Sequence, residues 1–159
     1  MNKKSSRGFT IVELLVVIVV IGILAAITIV SYSGISTRAR VSKTQANAKA
    51  VQTVIEAYNA DTAGGNGSYP ATFAAINSYT SGVTKLPAGI TLAGPGANAL
   101  DSTNGDAKFV YAPDAGGAAG GGCIGYYNFN AAAGSELIYI YVGTATTATG
   151  LNTGTAACN

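Results

Sequence analysis

Residues 11–30, IVELLVVIVVIGILAAITIV, form an apolar run broken by one charged side chain, Glu13. As a helix a run of this length rises ~30 Å, the thickness of a bilayer core. The apolar pattern does not stop at Val30. It narrows to a stripe, Val41, Ala48, Val51, Val54 or Ile55 and Tyr58, whose spacing fits one face of an amphipathic helix. No proline occurs before Pro70, and between Phe9 and Asp61 the glycines are Gly22 and Gly34. The expectation is one helix from about Phe9 to Asn59, ~75–80 Å long. Its first half is apolar all round and its second half has one apolar face, so it needs partners along its whole length.

Beyond that helix the chain changes character. The segment Asp61–Gly67, DTAGGNG, has the turn chemistry that ends a helix. Of the 21 glycines, 18 lie beyond Ala63, as do all four prolines. Ala71–Tyr79 reads as a short helix started by Pro70. Lys108–Tyr111, Cys123–Asn130 and Leu137–Gly143 read as strands, the last two joined by Ala131–Glu136 into an antiparallel hairpin. Asp114–Gly122 reads as a flexible loop. The Thr/Ala/Gly-rich tail Thr144–Asn159 needs tying down, which Cys158 can do. Tyr127 and Phe129 share one face of their strand, and Tyr139 and Tyr141 share one face of the next. Tyr126 points the other way. The aromatic face is expected to pack inward on the helix, the alternative being an exposed adhesive patch.

Composition removes several classes of function. With no histidine, seven acids and scattered hydroxyls, no catalytic constellation is present, and no metal or cofactor site is expected. The glycine runs at Gly64 and Gly116 lack a Walker lysine or a GxGxxG order, so they are loops and not phosphate cradles. The net charge of +2 is too small to point to nucleic acid. Without Lys3, Lys4 and Arg7, six basic side chains would face seven acidic ones, so the basic excess belongs to the first residues. Arg38, Arg40, Lys43 and Lys49 form a basic stretch past the apolar run. It reads as a solvated helix face, or as a surface pairing with Glu56, Asp61 or acids of the distal part. Cys123 and Cys158 are far apart, with no CxxC spacing and no clustered metal ligands. In an exported chain an isolated pair of this kind reads as a disulfide.

Glu13 is the most informative residue. A carboxylate inside an apolar run costs roughly 2.5–3.5 kcal/mol on insertion scales. It is either tolerated at the membrane edge or held by a partner. The segment Gly8-Phe9-Thr10-Ile11-Val12-Glu13-Leu14-Leu15, behind a short basic leader, resembles the processing site of type IV prepilins and their secretion-system relatives. The resemblance covers about residues 7–32, including Ile21–Ile27. It implies cleavage after Gly8 by a prepilin peptidase, methylation of the new amine at Phe9, and a role for Glu13 in assembly. A neighbour's Glu13 would neutralise the Phe9 amine when subunits stack, setting one offset between helices. It also implies that the Cys123–Cys158 loop lies on the outer surface of a filament. One departure stands out: many members carry a proline where this chain has Val30. Gly22 is then either a stretch point or a site of close packing. An ordinary secretory signal cleaved near Ser31-Tyr32-Ser33 is the rival reading of the N-terminus, and Glu13 speaks against it.

The expected fold is α+β: a long N-terminal transmembrane and amphipathic helix with a small antiparallel sheet domain, the pilin fold. The divisions are a leader (1–8), the helix (9–61, its membrane or filament-core half 9–30 and amphipathic half 31–61) and a sheet domain with a C-terminal disulfide loop (62–159). The expected function is not enzymatic. It is that of a major pilin, a homopolymer partner that waits in the inner membrane, meets prepilin peptidase and the pilus assembly machinery, and ends in an extracellular filament. Adhesion, twitching motility or DNA uptake would follow. The alternatives are a type II secretion pseudopilin, or a minor or tip pilin acting as adhesin or DNA receptor, although nucleic acid is an unexpected partner.

Overall fold

The computed structural model describes residues 8–61, 64–79, 85–96, 100–115, 120–131, 137–149, 151 and 157–159. The basic leader residues, the middle of the 114–122 loop, most of the 131–136 connection and parts of the tail lie outside the described residues. The chain divides into a unit ending at Arg38 and a unit Ala39–Asn159.

Helix α1 runs Ile11–Ala60, as the absence of proline predicts. In the first unit its large apolar side chains are exposed, between 85% at Ile11 and 47% at Val20. Among the described residues, then, none covers this apolar surface. By length and composition α1 is able to cross a membrane. The one described hydroxyl in the middle of the run, that of Thr28, donates to the carbonyl of Ala25 at 2.9 Å, which removes the cost of a bare polar group in lipid. Helix geometry continues through Gly22 with no described atom within 4 Å of where a Cβ would sit, so no packing among the described residues accounts for that glycine.

In the second unit α1 buries Ala48, Val51, Val54 and Ile55, the stripe read from the sequence. Past Ala60 the chain folds back onto the last turn: the N–H of Gly65 donates to Tyr58 O and that of Gly67 to Asn59 O, each at 2.7 Å. These bonds satisfy carbonyls that a helix end leaves open, and Gly67 adopts φ +86° to make the turn. The short helix α2 is Phe73–Asn77. Its cap is Thr72, whose side chain accepts from Ala75 N, and not Pro70 as expected. Pro70 instead offers its carbonyl to the Tyr111 hydroxyl at 2.8 Å.

Four strands form the sheet in the order β1-β2-β3-β4: β1 Thr91–Ala93, β2 Lys108–Pro113, β3 Gly121–Tyr127 and β4 Leu137–Gly143. The pairs β2–β3 and β3–β4 are antiparallel, which makes the hairpin expected from the sequence. β1, not foreseen, adds a parallel edge to β2. Its outer side is closed by Asn77, whose amide donates to Leu92 O and accepts from Leu92 N. A side chain here stands in for a missing strand. β3 starts two residues before, and ends three before, the expected 123–130, because Asn128 Oδ1 accepts from Asn130 N at 3.0 Å and turns the chain. Its first residue, Gly121, has φ +115°, and a Cβ there would lie 2.0 Å from Val142 O, so the start of this strand needs glycine.

The two faces of the sheet serve two cores. Phe109, Tyr111, Ile124, Tyr126 and Val142 pack with Ala48, Val51, Val54 and Ile55 of α1. Val110, Ala112, Cys123 and the half-buried Tyr127, Tyr139 and Tyr141 lie on the opposite face, with Leu100, Ala145, Leu151 and Cys158. This corrects the expectation that the Tyr127/Tyr139/Tyr141 face meets the helix. The helix takes the more apolar face, where Ile138 and Ile140 join Tyr126. The tyrosines, apolar bodies with polar tips, take the face covered by residues of the C-terminal segment. In the tail, β5 Ala148–Thr149 and β6 Ala157–Cys158 pair antiparallel.

Arg40 is the point where α1 grips the loops below the sheet. Its guanidinium pairs with Asp106 at 2.7 Å, donates to Ser102 O at 2.9 Å and lies 3.9 Å from the Phe129 ring centroid. Arg38, Lys43 and Lys49 have no ion-pair partner among the described residues. Glu56 accepts from the Tyr69 hydroxyl at 2.8 Å, and Asp61 from that of Tyr79, whose pKa this bond pushes up to about 12. So of the basic stretch one member pairs with an acid of the distal part, while Glu56 and Asp61 take tyrosine hydroxyls. Both partners of the Arg40–Asp106 pair are partly exposed, at 39% and 31%, which limits its worth. Arg40→Ala is expected to cost about 1 kcal/mol, pair and cation–π contact together, and less at high salt. A denaturant titration of the detergent-solubilised chain at two salt concentrations measures both effects.

Candidate functional site: the start of helix α1

The chemistry that the sequence singles out gathers in the first turn of α1. Gly8 and Phe9 precede the helix and are exposed, and no atom lies within 4 Å of a Cβ built on Gly8. Thr10 is the residue before the helix and Glu13 lies in its first turn. Thr10 N and Thr10 Oγ1 both donate to Glu13 Oε2, at 2.8 and 2.9 Å, and Glu13 N donates back to Thr10 Oγ1 at 3.2 Å.

This is a capping box. A Thr followed three residues on by Glu ahead of an apolar run is its sequence signature, and the sequence reading passed over it. Its physical meaning is direct. The first N–H groups of a helix have no partner of their own, and in an apolar setting each would be costly to leave bare. Thr10 and Glu13 satisfy them reciprocally, and the carboxylate lies where the helix dipole favours negative charge. Glu13 in the single chain is therefore neither idle nor bare. Its Oε2 takes two bonds from Thr10, while its Oε1 takes none among the described residues.

The second pair of residues singled out, Cys123 and Cys158, are bonded, with Cα atoms 5.8 Å apart and a separation of 35 in sequence. Both are buried, Cys123 in β3 and Cys158 in β6. Closing a loop of that size contributes ~4 kcal/mol in the chain-entropy account. Among the described residues no group of three or more His, Cys, Asp or Glu side chains gathers to hold a metal.

A family model for the prokaryotic N-terminal methylation motif matches residues 3–29, the stretch that contains Gly8, Phe9, Thr10 and Glu13. The chain is 40% identical over 53 residues to a fimbrial protein of Pseudomonas aeruginosa, a match covering 33% of this chain and 34% of that protein. It is 41% identical over 54 residues to the type IV major fimbrial protein FimA of Dichelobacter nodosus, covering 34% and 35%. It is 35% identical over 72 residues to type II secretion system core protein G of Klebsiella michiganensis, covering 45% and 48%. The matches thus span between a third and a half of these relatives. No solved structure matches.

An exposed helix long and apolar enough to cross a membrane begins within a match to the prokaryotic N-terminal methylation motif. The motif and these similarities support the type IV pilin and pseudopilin family, and a long helix with a small four-stranded sheet domain is consistent with the α+β pilin fold. These relatives are named as fimbrial and secretion-system proteins, and helix α1 is long and apolar enough to cross a membrane.

Proposed function

We propose that the chain is cleaved between Gly8 and Phe9 by a prepilin peptidase, methylated at the Phe9 amine, and polymerised into an extracellular type IV pilus as its major subunit. One observation carries this reading. Glu13 lies at the head of an apolar helix that no described residue covers, with one oxygen held in the capping box and the other without a bond among the described residues. A partner with a positive group and an apolar surface satisfies both. A second copy, with its amine at Phe9 and its own α1, offers them together. Before assembly α1 waits in the inner membrane, and the sheet domain and its disulfide lie outside the cytoplasm, where a disulfide persists. Prepilin peptidase and the pilus assembly machinery are the partners this requires. The domain limits follow: leader 1–8, helix 9–61 and sheet domain 62–159.

The second reading is a type II secretion pseudopilin. It is favoured by the longer matches to core protein G, 72 and 87 residues, than to the fimbrial proteins, 53 and 54. Both readings share the processing step and differ in where the polymer accumulates.

Gly8→Val tests the shared step. A branched side chain ahead of the cut should leave the leader attached and the protein in the membrane. In the wild type, mass spectrometry of polymerised subunits should give an N-methylated Phe9 as the first residue. Subunits that start at Met1 or Gly34 would refute the processing. Abundant wild-type protein in filaments sheared from the cell surface supports the major pilin over the pseudopilin. Its absence from them reverses that order.

A further inference from the structure

Where the apolar run of α1 ends, the chemistry of the helix changes in steps. Residues 31–37, SYSGIST, are mostly small and polar, and no side chain between Glu13 and Arg38 carries a charge. Tyr32 and Ile35 are 74% and 64% exposed, and Arg38, which closes the first unit, is exposed as well. The three lie three residues apart on a continuous helix, so each stands beside the next on one ridge of its surface. Arg38 makes no ion pair among the described residues, whereas Arg40 is taken up by Asp106.

The ridge has a definite level. With residues 11–30 filling the bilayer core, Val30 stands at its edge, and a headgroup layer of about 5–7 Å follows. On a helix the Cα of Tyr32 lies about 3 Å beyond Val30, that of Ile35 about 7–8 Å and that of Arg38 about 12 Å. Helical side chains lean toward the N-terminus, so an Arg stem reaching back ~6 Å brings the guanidinium into the headgroup layer. The Tyr32 ring, with an apolar body and a polar tip, stands at the inner boundary of that layer, where membrane proteins collect tyrosine. Ile35 leans back between them, toward the top of the acyl chains.

We propose that Tyr32, Ile35 and Arg38 form a binding ridge for an anionic phospholipid, with the Arg38 guanidinium donating to the headgroup phosphate on the outer side of the membrane. The inference rests on the reading that α1 spans the membrane before assembly. A guanidinium meets two phosphate oxygens at once, which gives direction to an attraction that a basic side chain near an anionic surface already has. An anionic lipid is favoured over a zwitterionic one because no cation of its own headgroup competes with Arg38. It is also favoured over a second copy of α1 at the same depth. The acids of this helix are Glu13 and Glu56, both far along the chain from Arg38. The contact belongs to the waiting subunit, since a subunit drawn into a polymer leaves its lipids behind.

The full chain in phosphatidylcholine vesicles, with a trace of spin-labelled phosphatidylglycerol or spin-labelled phosphatidylcholine, reads the preference as the fraction of label slowed at the protein. Phosphatidylglycerol should be favoured, and Arg38→Gln should lower that preference about fivefold at low salt. Lys49→Gln removes the same charge further along α1 and should leave the preference in place. Inorganic phosphate, against chloride at matched ionic strength, should not displace the labelled lipid, and displacement would point to a free-anion site and overturn the proposal. Retention of the chain in the vesicles through an alkaline wash is scored beside the spectra. Chain that washes out would overturn the spanning reading, and the ridge with it. Chain that stays, with equal preference in wild type and Arg38→Gln, would overturn the ridge alone. So would an equal loss in Arg38→Gln and Lys49→Gln, because the attraction would then be one of total charge and not of level.

Discussion

Subunits carrying Glu13→Val are expected to be exported, cleaved and stable in the membrane, and to form no filaments. If Glu13 only sat at the membrane edge, removing it would be harmless and would ease residence in lipid by a few kcal/mol. The capping box adds a second term. Without Glu13 the Thr10 N–H loses its acceptor, at a cost of about 1 kcal/mol to the first turn, which frays that turn and leaves the rest of α1 intact. Neither effect prevents polymerisation. The proposed intersubunit pair does: an amine at Phe9 with no carboxylate beside it, buried among apolar helices, costs roughly 3–5 kcal/mol at every contact. Glu13→Gln separates the terms further, because it keeps an acceptor for Thr10 and removes the charge. It should restore the first turn and not the filaments. Fractionation and electron microscopy of cells with either variant as the sole subunit decide the matter. Normal filaments built from Glu13→Gln subunits would sink the charge-pair account while leaving the capping box standing.

The long helix was legible because its signals are dense. An apolar stretch, a matching stripe and a lack of proline over fifty residues leave the backbone no other choice, and the glycines after Asp61 stop it where it ends. Strand β4 was read at its observed limits, since Leu137–Gly143 is bounded by turn residues and rich in β-branched and aromatic side chains. β1, β5 and β6 were not, at three, two and two residues. Elements that short carry no period of their own. They exist because β2, the Asn77 side chain and the disulfide hold them, and those are contacts between residues distant in sequence. The direction of the tyrosines was misjudged because hydropathy separates two apolar faces poorly. Which face meets the helix is decided by the isoleucines that alternate with them. At the site, Gly8, Phe9 and Glu13 were visible as a pattern. What Glu13 does inside its own chain was written in Thr10, a signal overlooked beside a stronger one.

The largest loss of fold stability from a single truncation is expected at Tyr111. Its side chain is fully buried in the helix-packed core. Its hydroxyl donates to Pro70 O at 2.8 Å, and burial holds its pKa far above the usual tyrosine value, so it stays a neutral donor. Gly122 makes space for the ring, since a Cβ there would come within 2.6 Å of Tyr111 Cε2. Tyr111→Ala removes the ring and leaves a cavity between α1 and the sheet that the surrounding strands cannot close, at a cost of roughly 3–5 kcal/mol. Tyr111→Phe keeps the ring and strands only the Pro70 carbonyl, for about 1 kcal/mol. Denaturant midpoints of the two variants at an unchanged slope give the comparison, and near-equal losses would mean that the hydroxyl, not the ring, holds this core. The Ala variant should also be scarce in filaments, for a reason opposite to that of Glu13→Val. A loss of 3–5 kcal/mol takes a large share of the roughly 5–15 kcal/mol by which a domain is stable, so the subunit is degraded before it assembles. Membrane-bound subunit should then be depleted with Tyr111→Ala and abundant with Glu13→Val, which separates failure to fold from failure to polymerise.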